Sequence, residues 1–264
     1  MAEVSVLLSE AKTEGAPLSA AFINIMIGLA TSILSGGSVW AWQRARNSRM
    51  LRRKETFFGL SPEVTCLIVM NHKYNAPGTT AQDDVHVMIE VATLAGEIGS
   101  KISVRSCDEI QEVNADRTEF CIGGVNSNPR TLGHLSSHLP GVTLRPYHPT
   151  RRDSAAIIVG DQRFLYEHGK LEHALVAKFM PSAASRPVIL ICGQRAIANR
   201  AAMHFLRHNY LALGRSLASI DQFCLVVQII SSDTYGHEMV ELAGDVTTAA
   251  FTDQGAIPRN LKRP

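Results

Sequence analysis

The residues best suited to bind a ligand stand directly after apolar, strand-like segments of the chain. The first such group follows residues 119–122 and consists of Gly123, Gly124, Asn126, Ser127, Asn128, Arg130 and Thr131. Glycines allow a tight turn and close approach of the backbone to a ligand, and Ser127 or Asn128 can cap a helix that begins at Pro129. Free N–H groups at that helix start, together with the charge of Arg130, predict an anion site. A well-capped turn without a ligand is the alternative.

Two further loops repeat this chemistry. The apolar run 187–192 is followed by Gly193, Gln194 and Arg195 at the start of a second helix. The run 65–70 ends in a long loop that carries Asn71, Thr79 and Thr80. Long loops are more often functional than idle, so these six residues join the predicted ligand site. Asp83 and Asp84 follow in the first helical turn, where negative charge complements the helix dipole.

Catalytic and metal-binding patterns are weak. The chain contains no GxSxG, HExxH or Walker motif, so catalytic residues and cofactor stay unassigned. The five cysteines form no CxxC pair, and the i,i+4 pairs His134/His138 and His204/His208 have no third ligand nearby in sequence. These spacings favour solvated helix faces and predict no metal site. Cys192, at the end of a strand, is either a nucleophile or a buried core thiol.

The pattern of apolar segments predicts the fold. Short apolar runs at 65–70, 101–105, 119–122, 187–192 and 223–230 alternate with helical stretches, among them 81–98 and 196–217. Fully apolar strands are typical of a parallel sheet covered on both faces. We therefore expect an α/β, Rossmann-like domain over 63–230, with a mainly parallel sheet and a β-hairpin insertion around Gly160-Asp161. Its loops meet at the carboxyl edge of the sheet, and residues 231–264 are expected to form a flexible tail.

An uncharged apolar stretch precedes this domain. Residues 18–42 are long enough to cross a bilayer, and Trp40 and Trp42 suit its interface. Residues 1–17 carry three glutamates against one lysine, whereas the connector 43–62 carries a basic cluster made up of Arg44, Arg46, Arg49, Arg52, Arg53 and Lys54. This order is the reverse of that in a cleaved signal peptide. It predicts a single-pass membrane protein with its N-terminus outside and its domain in the cytoplasm, where free cysteines stay reduced.

Two segments support a resemblance to known proteins. The run 119–131 (EFCIGGVNSNPRT) and the run 187–195 (PVILICGQR) resemble an uncharacterised bacterial family of membrane-anchored, Rossmann-like proteins with a GGxNSNP-type turn. The resemblance covers roughly residues 65–230 and implies the domain boundary and the two loops, but no reaction.

These observations lead to three functional hypotheses. The first is a membrane-tethered cytoplasmic domain that binds or senses a small anionic or nucleotide-like ligand in signalling. The second is an enzyme acting on such a ligand, for instance an N-glycosidic hydrolase or transferase that uses Asp83, Glu90 or Glu119. The third is a scaffold that recruits a protein partner and oligomerises through Gly36 and Gly37 in the bilayer. A net charge of +2 gives no indication of nucleic-acid binding.

Overall fold

A computed structural model of the chain describes residues 16–73, 76, 78–112, 114–182 and 186–253. The chain divides into two units, residues 1–50 and 51–264. Helix α1 (Ala16–Phe58) supplies the described part of the first unit. Among the described residues, α1 is the single helix that is both long enough and apolar enough to span a bilayer. Its most apolar 18-residue stretch has a mean hydropathy of 1.6 and is 0% buried. Arg44 and Arg46 lie over the rings of Trp40 and Trp42, which are exposed.

The expected connector 43–62 is helical as far as Phe58. Residues 43–58 contain no glycine or proline to break α1. The helix ends at Gly59, whose left-handed φ of 64° lets the N–H of Leu60 bond back to the carbonyl of Glu55. Phe57 and Phe58 are buried in the core of the second unit. That unit therefore begins before residue 63.

The second unit is an α/β domain. In chain order its described elements are β1 (Thr65–Met70), α2 (Gln82–Ile98), β2 (Lys101–Ser106), β3 (Thr118–Ile122), α3 (Pro129–His138), β4 (Val142–Leu144), β5 (Ile157–Val159), β6 (Gln162–Phe164), β7 (Leu171–Phe179), β8 (Val188–Gly193), α4 (Ala196–Ser216), β9 (Phe223–Ile230), α5 (Ser232–Tyr235), β10 (Val240–Asp245) and α6 (Thr247–Phe251).

Seven of these strands form one sheet in the order β10-β9-β7-β8-β3-β1-β2. Strands β2, β1, β3 and β8 are parallel neighbours, whereas β7 pairs antiparallel with both β8 and β9, and β10 pairs antiparallel with β9. The residues of β1, β3 and β8 are almost all buried, as their apolar sequences require. The prediction of a mixed α/β domain with a mostly parallel sheet is confirmed.

Both faces of the sheet are covered. One face packs against α2, α4 and the last turns of α1, and the other against α3, α6 and a second sheet of β4, β5 and β6. Strands β5 and β6 pair antiparallel across Gly160 and Asp161. They belong to this small sheet and not to the seven-stranded one.

The expected flexible tail at 231–264 is wrong for its first part. Strand β10 extends the main sheet, and Val246 and Ala250 are buried on one face of the domain. These segments are short and only half apolar, so sequence periodicity could not distinguish them from a loop. Residues 254–264 lie outside the described part of the chain.

A buried lysine fixes the end of α1 to the sheet. Lys178, on β7, is 1% exposed, and its Nζ donates to the carbonyl oxygens of Phe57 at 2.8 Å and of Thr56 at 3.3 Å. Carbonyls in the last turn of a helix lack intrahelical partners, and a cation there also complements the helix dipole. Burial nevertheless lowers the pKa of Lys178 from its ordinary 10.5 to about 8.

Replacing this lysine tests the attachment. Lys178→Met keeps the apolar stem but leaves the two carbonyls unbonded, so we expect a loss of about 1–3 kcal/mol of unfolding free energy. Because the pKa of Lys178 is lower in the folded than in the unfolded chain, its contribution rises with pH between about 8 and 10.5. The gap between wild type and variant should therefore widen over that range in denaturant titrations in detergent. Lys101→Met, at an exposed position of β2, is the control; a gap that does not change with pH would contradict the assignment.

Candidate functional site

A crevice of about 440 Å³ opens at the carboxyl ends of β1, β3 and β8. Its lining comes from the loops that follow these three strands, from the first turns of α2 and α4, and from the segment between β4 and β5. The turns after β3 and β8 lie side by side, because a Cβ added to Gly124 would meet the carbonyl oxygen of Gly193 at 3.6 Å. The sequence expectation that these two turns share a crevice therefore agrees with the geometry.

A buried carboxylate forms the floor of the crevice. Asp84, 1% exposed, accepts hydrogen bonds from Asn71 Nδ2 at 2.8 Å and from Asn199 Nδ2 at 2.7 Å. The other amide atom of Asn199, its Oδ1, accepts from the backbone N–H of Gly193 at 2.6 Å. Burial raises the pKa of Asp84, against the opposing effect of its two amide donors. The network joins the end of β1, the start of α2 and the turn after β8.

Asn71 has hydrogen-bonding capacity left over. Its Nδ2 donates to Asp84 and to the hydroxyl of Ser127, at 3.3 Å. Its Oδ1 is buried and has no partner among the described residues, although the side chain lines the crevice and is only 7% exposed. A buried acceptor without a donor costs about 1–3 kcal/mol. A donor on a bound molecule would remove that cost.

Two glycines make this floor possible. A Cβ on Gly123 would lie 2.6 Å from Cβ of Asn71, and the φ of Gly123 is 106°, which side chains rarely adopt. A Cβ on Gly193 would lie 2.8 Å from the backbone N of Asn199. These short distances bring protein groups together, and close approach to a ligand stays a prediction. Gly193 lines the crevice, whereas Gly123 does not.

The start of α4 supplies donors to one side of the crevice. Its N-cap residue, Arg195, makes no side-chain capping bond, whereas Asn128 Oδ1 caps α3 by accepting from the N–H groups of Arg130 and Thr131. Ala196, the first residue of α4, lines the crevice. A helix start whose N–H groups lack a side-chain cap favours an anion. The helix start without a side-chain cap is therefore that of α4, whereas the sequence predicted the anion site at the start of α3.

Arg195 and Gln194 line the crevice but already have protein partners. Arg195 Nη1 lies 2.6 Å from Oε1 of Glu172, a fully buried carboxylate, so much of its charge is neutralised. Gln194 Oε1 accepts from the N–H of His173, and its Nε2 donates to the carbonyls of Ala155 and Phe164. Gln194 thereby attaches the small sheet, at β6 and just before β5, to the inner strand β7 of the main sheet.

The small sheet supplies the outer wall. Arg145 and Tyr147 line the crevice there, with Leu144, Pro146 and Ile157 beside them. Tyr147 is 66% exposed, and Arg145 makes only a loose ion pair with Asp153, at 3.6 Å. This wall therefore offers an aromatic face and a largely available cation. Sequence reasoning missed both residues because no strand-end motif marks them.

Arg130 does not serve the crevice, which corrects the sequence prediction. Its Nε and Nη2 donate to the two carboxylate oxygens of Glu119, each at 2.6 Å, and its Nη1 donates to the carbonyl of Glu112. Burial alone would raise the pKa of Glu119, but hydrogen bonds from Arg130 and His134 outweigh it and lower that pKa. His134 is mostly buried against Glu119 and Phe179, so the expected solvated face of α3 is also wrong.

Of the remaining predicted ligand residues, some line the crevice and others bond to the protein backbone. Asn126 and Ser127 line the crevice. Asn128 and Thr131 are fully buried; Asn128 Nδ2 donates to the carbonyl of Ile122, and the Thr131 hydroxyl donates to that of Gly123. In the first loop, the hydroxyl of Thr79 donates to Ala76 O and that of Thr80 to Asn71 O. Asn128, Thr131, Thr79 and Thr80 do not line the crevice; they hold the loops in shape.

Asp84 is the residue that sequence reasoning undervalued most. The helix dipole appeared to explain both acidic residues at the start of α2, yet Asp83 pairs with Arg200 while Asp84 turns inward. Its only signal in the sequence was an Asp in a first helical turn, 13 residues after an Asn that follows a strand, and this pattern is too common to stand out. Cys192 also lines the crevice, but burial raises its pKa to about 12, so it is a protonated core thiol and not a nucleophile.

Cavity size alone would not select this site. A cavity of about 450 Å³ lies between residues 217–222 and 245–249, but its lining is mostly small neutral residues with one acidic side chain, Asp245. The crevice at β1, β3 and β8 combines cations, a buried carboxylate, an unpartnered amide oxygen and an uncapped helix start. Convergent polar groups of this kind are what distinguish ligand sites.

Replacing Arg130 separates its structural role from ligand binding. Arg130→Ala leaves Glu119 buried with only His134 as partner, so we expect a loss of about 3–5 kcal/mol of unfolding free energy. The low pKa of Glu119 contributes stability above its ordinary value of 4.5 that is lost as the pH falls through the folded value. The deficit of the variant should therefore shrink below about pH 4.5. Arg151→Ala, which breaks an exposed pair with Asp153, should change little. An Arg130→Ala chain of normal stability would show this interpretation to be wrong.

No protein-family model matches this chain, and no curated protein is similar to it at a significant level. The resemblance to a bacterial family with a GGxNSNP-type turn therefore stays a prediction. The geometry of the crevice is the basis for the functional argument that follows.

Proposed function

We propose that the domain binds a nucleotide-like ligand in the crevice at the ends of β1, β3 and β8. The observation that carries this proposal is that the crevice has hydrogen-bond acceptors on its floor and hydrogen-bond donors around it. Asp84 and the unpartnered Oδ1 of Asn71 are the acceptors, and the start of α4 and Arg145 supply the donors. A molecule with hydroxyl groups at one end and a phosphate at the other complements both.

The position of the crevice supports the same conclusion. The chain runs from β1 to β2 on one side and then crosses to β3 on the other side of β1. Ligands of open α/β sheets bind beyond the carboxyl ends of the strands at such a reversal of strand order. The Rossmann-like character expected from the sequence belongs to this proposal, and the order β2-β1-β3 with parallel pairing favours it.

The dimensions and the outer wall favour a nucleotide over a simple anion. A volume of about 440 Å³ falls within the usual range of small-molecule sites, roughly 300–1,000 Å³. The exposed ring of Tyr147 gives a base a surface to stack on. Since Arg130 and Arg195 are both paired with buried carboxylates, the crevice has less free positive charge than the sequence suggested.

One observation favours an enzyme as the second candidate. Asp84 is the single carboxylate that lines the crevice among the described residues, and its pKa is raised by burial. A carboxyl group of raised pKa beside a sugar suits acid or base catalysis of N-glycosidic cleavage. Of the carboxylates named from the sequence, Glu119 is occupied by Arg130 and Asp83 by Arg200, so Asp84 replaces them in this hypothesis.

We place this domain at the cytoplasmic face of the cell membrane, anchored by α1. The basic residues that follow the apolar stretch, and the interfacial pairs of Trp40 with Arg44 and of Trp42 with Arg46, support this orientation. Gly36 and Gly37 have no atoms within 4 Å of an added Cβ, so a second copy of the helix can approach them closely. Signalling by ligand-dependent association of such copies is consistent with this arrangement.

Ligand binding is tested by the melting temperature of the full chain in detergent. We expect NAD or AMP to raise it with the logarithm of the ligand concentration, while inorganic phosphate or adenosine alone has a smaller effect because each engages one side of the crevice. Arg145→Ala should weaken binding about tenfold and Tyr147→Ala about fivefold or more, the ranges for a charge-assisted hydrogen bond and a stacked base. Mass spectrometry of the recovered ligand separates binding from cleavage.

Matched variants control for surface effects. Arg163 is an exposed arginine of the same small sheet, and Tyr235 is a tyrosine as exposed as Tyr147, at 62%; neither lines the crevice. Arg163→Ala and Tyr235→Ala should leave the ligand-induced shift unchanged. If phosphate alone reproduces the full shift, or if the controls lose it equally, the nucleotide assignment is wrong.

Orientation is tested by a reporter fused after Pro264. We expect cytoplasmic activity, because basic residues near the end of a span are retained on the cytoplasmic side. Neutralising Arg44, Arg46 and Arg49 should produce mixed orientations, and these three lie in the first unit, so the α/β domain is not altered. Periplasmic activity of the unmodified fusion would overturn the orientation.

A further inference from the structure

A cluster of metal-ligating side chains lies beside the crevice but not in it. His72 follows β1, and Cys107 and Asp108 follow β2. His72 Nδ1 lies 3.5 Å from Cys107 Sγ and 3.3 Å from an Asp108 carboxylate oxygen, and Cys107 Sγ lies 3.8 Å from the other oxygen of Asp108. The sequence predicts no metal site because 35 residues separate the histidine from the cysteine.

The sheet brings these residues together. Met70 and Ser106 are partners in the parallel register of β1 and β2, so the residues that follow them are neighbours. The N–H of Cys107 donates to the carbonyl of Met70 at 2.9 Å, and that of His72 to the carbonyl of Ser127 at 3.0 Å. Backbone bonds on both ligands fix the cluster before any ion binds.

The distances between the donor atoms match those around a tetrahedral ion. With metal–sulfur bonds of about 2.3 Å and metal–nitrogen or metal–oxygen bonds of about 2.0–2.1 Å, tetrahedral ligands lie roughly 3.3–3.6 Å apart. Two separations from His72 Nδ1, 3.5 Å to Cys107 Sγ and 3.3 Å to one carboxylate oxygen of Asp108, lie in this range. The 3.8 Å contact of Cys107 Sγ is with the other oxygen of Asp108. One thiolate, one imidazole and one carboxylate form a ligand set suited to zinc, and not to calcium or magnesium.

We propose that His72, Cys107 and Asp108 bind one Zn²⁺ ion through three protein ligands, with a fourth position open to solvent. Cys107 is buried, whereas the side chain of Asp108 is 52% exposed, so an ion can enter from the Asp108 side. This site is independent of the proposed nucleotide binding. It would hold the loop after β1, whose first residue is Asn71, against the turn that contains Ser127.

Two other interpretations of such clusters fit less well. In a Cys-His-Asp catalytic relay the thiol and the carboxylate contact opposite nitrogens of the imidazole, but here both lie next to Nδ1 of His72. A second group, Glu119, Cys121 and His134, also has the ligand types for a metal. Arg130 already occupies both oxygens of Glu119, and a guanidinium there repels a cation.

The test is a cobalt titration of the metal-stripped full chain in detergent. We expect Co²⁺ to give the spectrum of a tetrahedral ion with a thiolate-to-cobalt charge-transfer band, and stoichiometric Zn²⁺ to abolish it. His72→Ala and Cys107→Ser should each weaken Co²⁺ binding at least about 100-fold, because even changes behind the metal ligands cost roughly 10- to 100-fold. Asp108→Asn, at a half-exposed position that folding tolerates, should also weaken binding.

Cys66→Ser and Cys121→Ser are the controls, since both cysteines are buried outside this cluster. They should retain the band. Absence of a thiolate band in the wild type, its persistence in Cys107→Ser, or normal Co²⁺ affinity of a folded Asp108→Asn chain would each overturn the proposal. Loss of the band in Cys121→Ser alone would overturn it in favour of the interior group.

Discussion

The geometry of the crevice depends on one buried carboxylate. Asp84 binds the amide groups of Asn71 and Asn199, and Asn199 in turn binds the backbone of Gly193. The bond between Asn199 and Asp84 joins segments that are 115 residues apart in the chain. A buried charge without a cation partner is costly unless hydrogen bonds satisfy it, so the network fixes the relative positions of β1, α2 and α4. The empty acceptor on Asn71 is the one place where this network remains incomplete among the described residues.

Buried ion pairs stabilise the surroundings of the crevice in a similar way. Glu119 and Glu172 have side chains of 0% exposure and pair with Arg130 and Arg195, each at the start of a helix. Without its arginine, each glutamate would be an uncompensated buried charge, so the main role of these arginines is to stabilise the fold. Lys178 has the same function at the end of α1, where its ammonium group bonds to the last helical carbonyls. Cationic side chains that suggest ligand binding in the sequence thus mainly hold backbone segments together.

The last turn of the long apolar helix belongs to the α/β domain. Helix α1 continues to Phe58, and Phe57 and Phe58 are part of the core of the second unit. Asn71 of the crevice floor and His72 of the proposed zinc site are consecutive residues of the loop after β1. The proposed ligand and ion would therefore contact neighbouring residues of one loop.

The sequence by itself determined the main strands and helices between residues 65 and 230 and the edge of the sheet at which the loops meet. Apolar runs of four to eight residues, helical periodicity and the uncharged stretch at 18–42 are local patterns, and they identified the α/β class, the mostly parallel sheet and the long apolar helix. Tertiary structure alone decided which polar side chains face the crevice. Arg130 and Arg195 both pair with a buried glutamate, yet only Arg195 lines the crevice. The role of Asp84 follows from contacts with residues 13 and 115 positions away. Burial and pairing are set by such long-range neighbours, which a motif in one segment cannot encode.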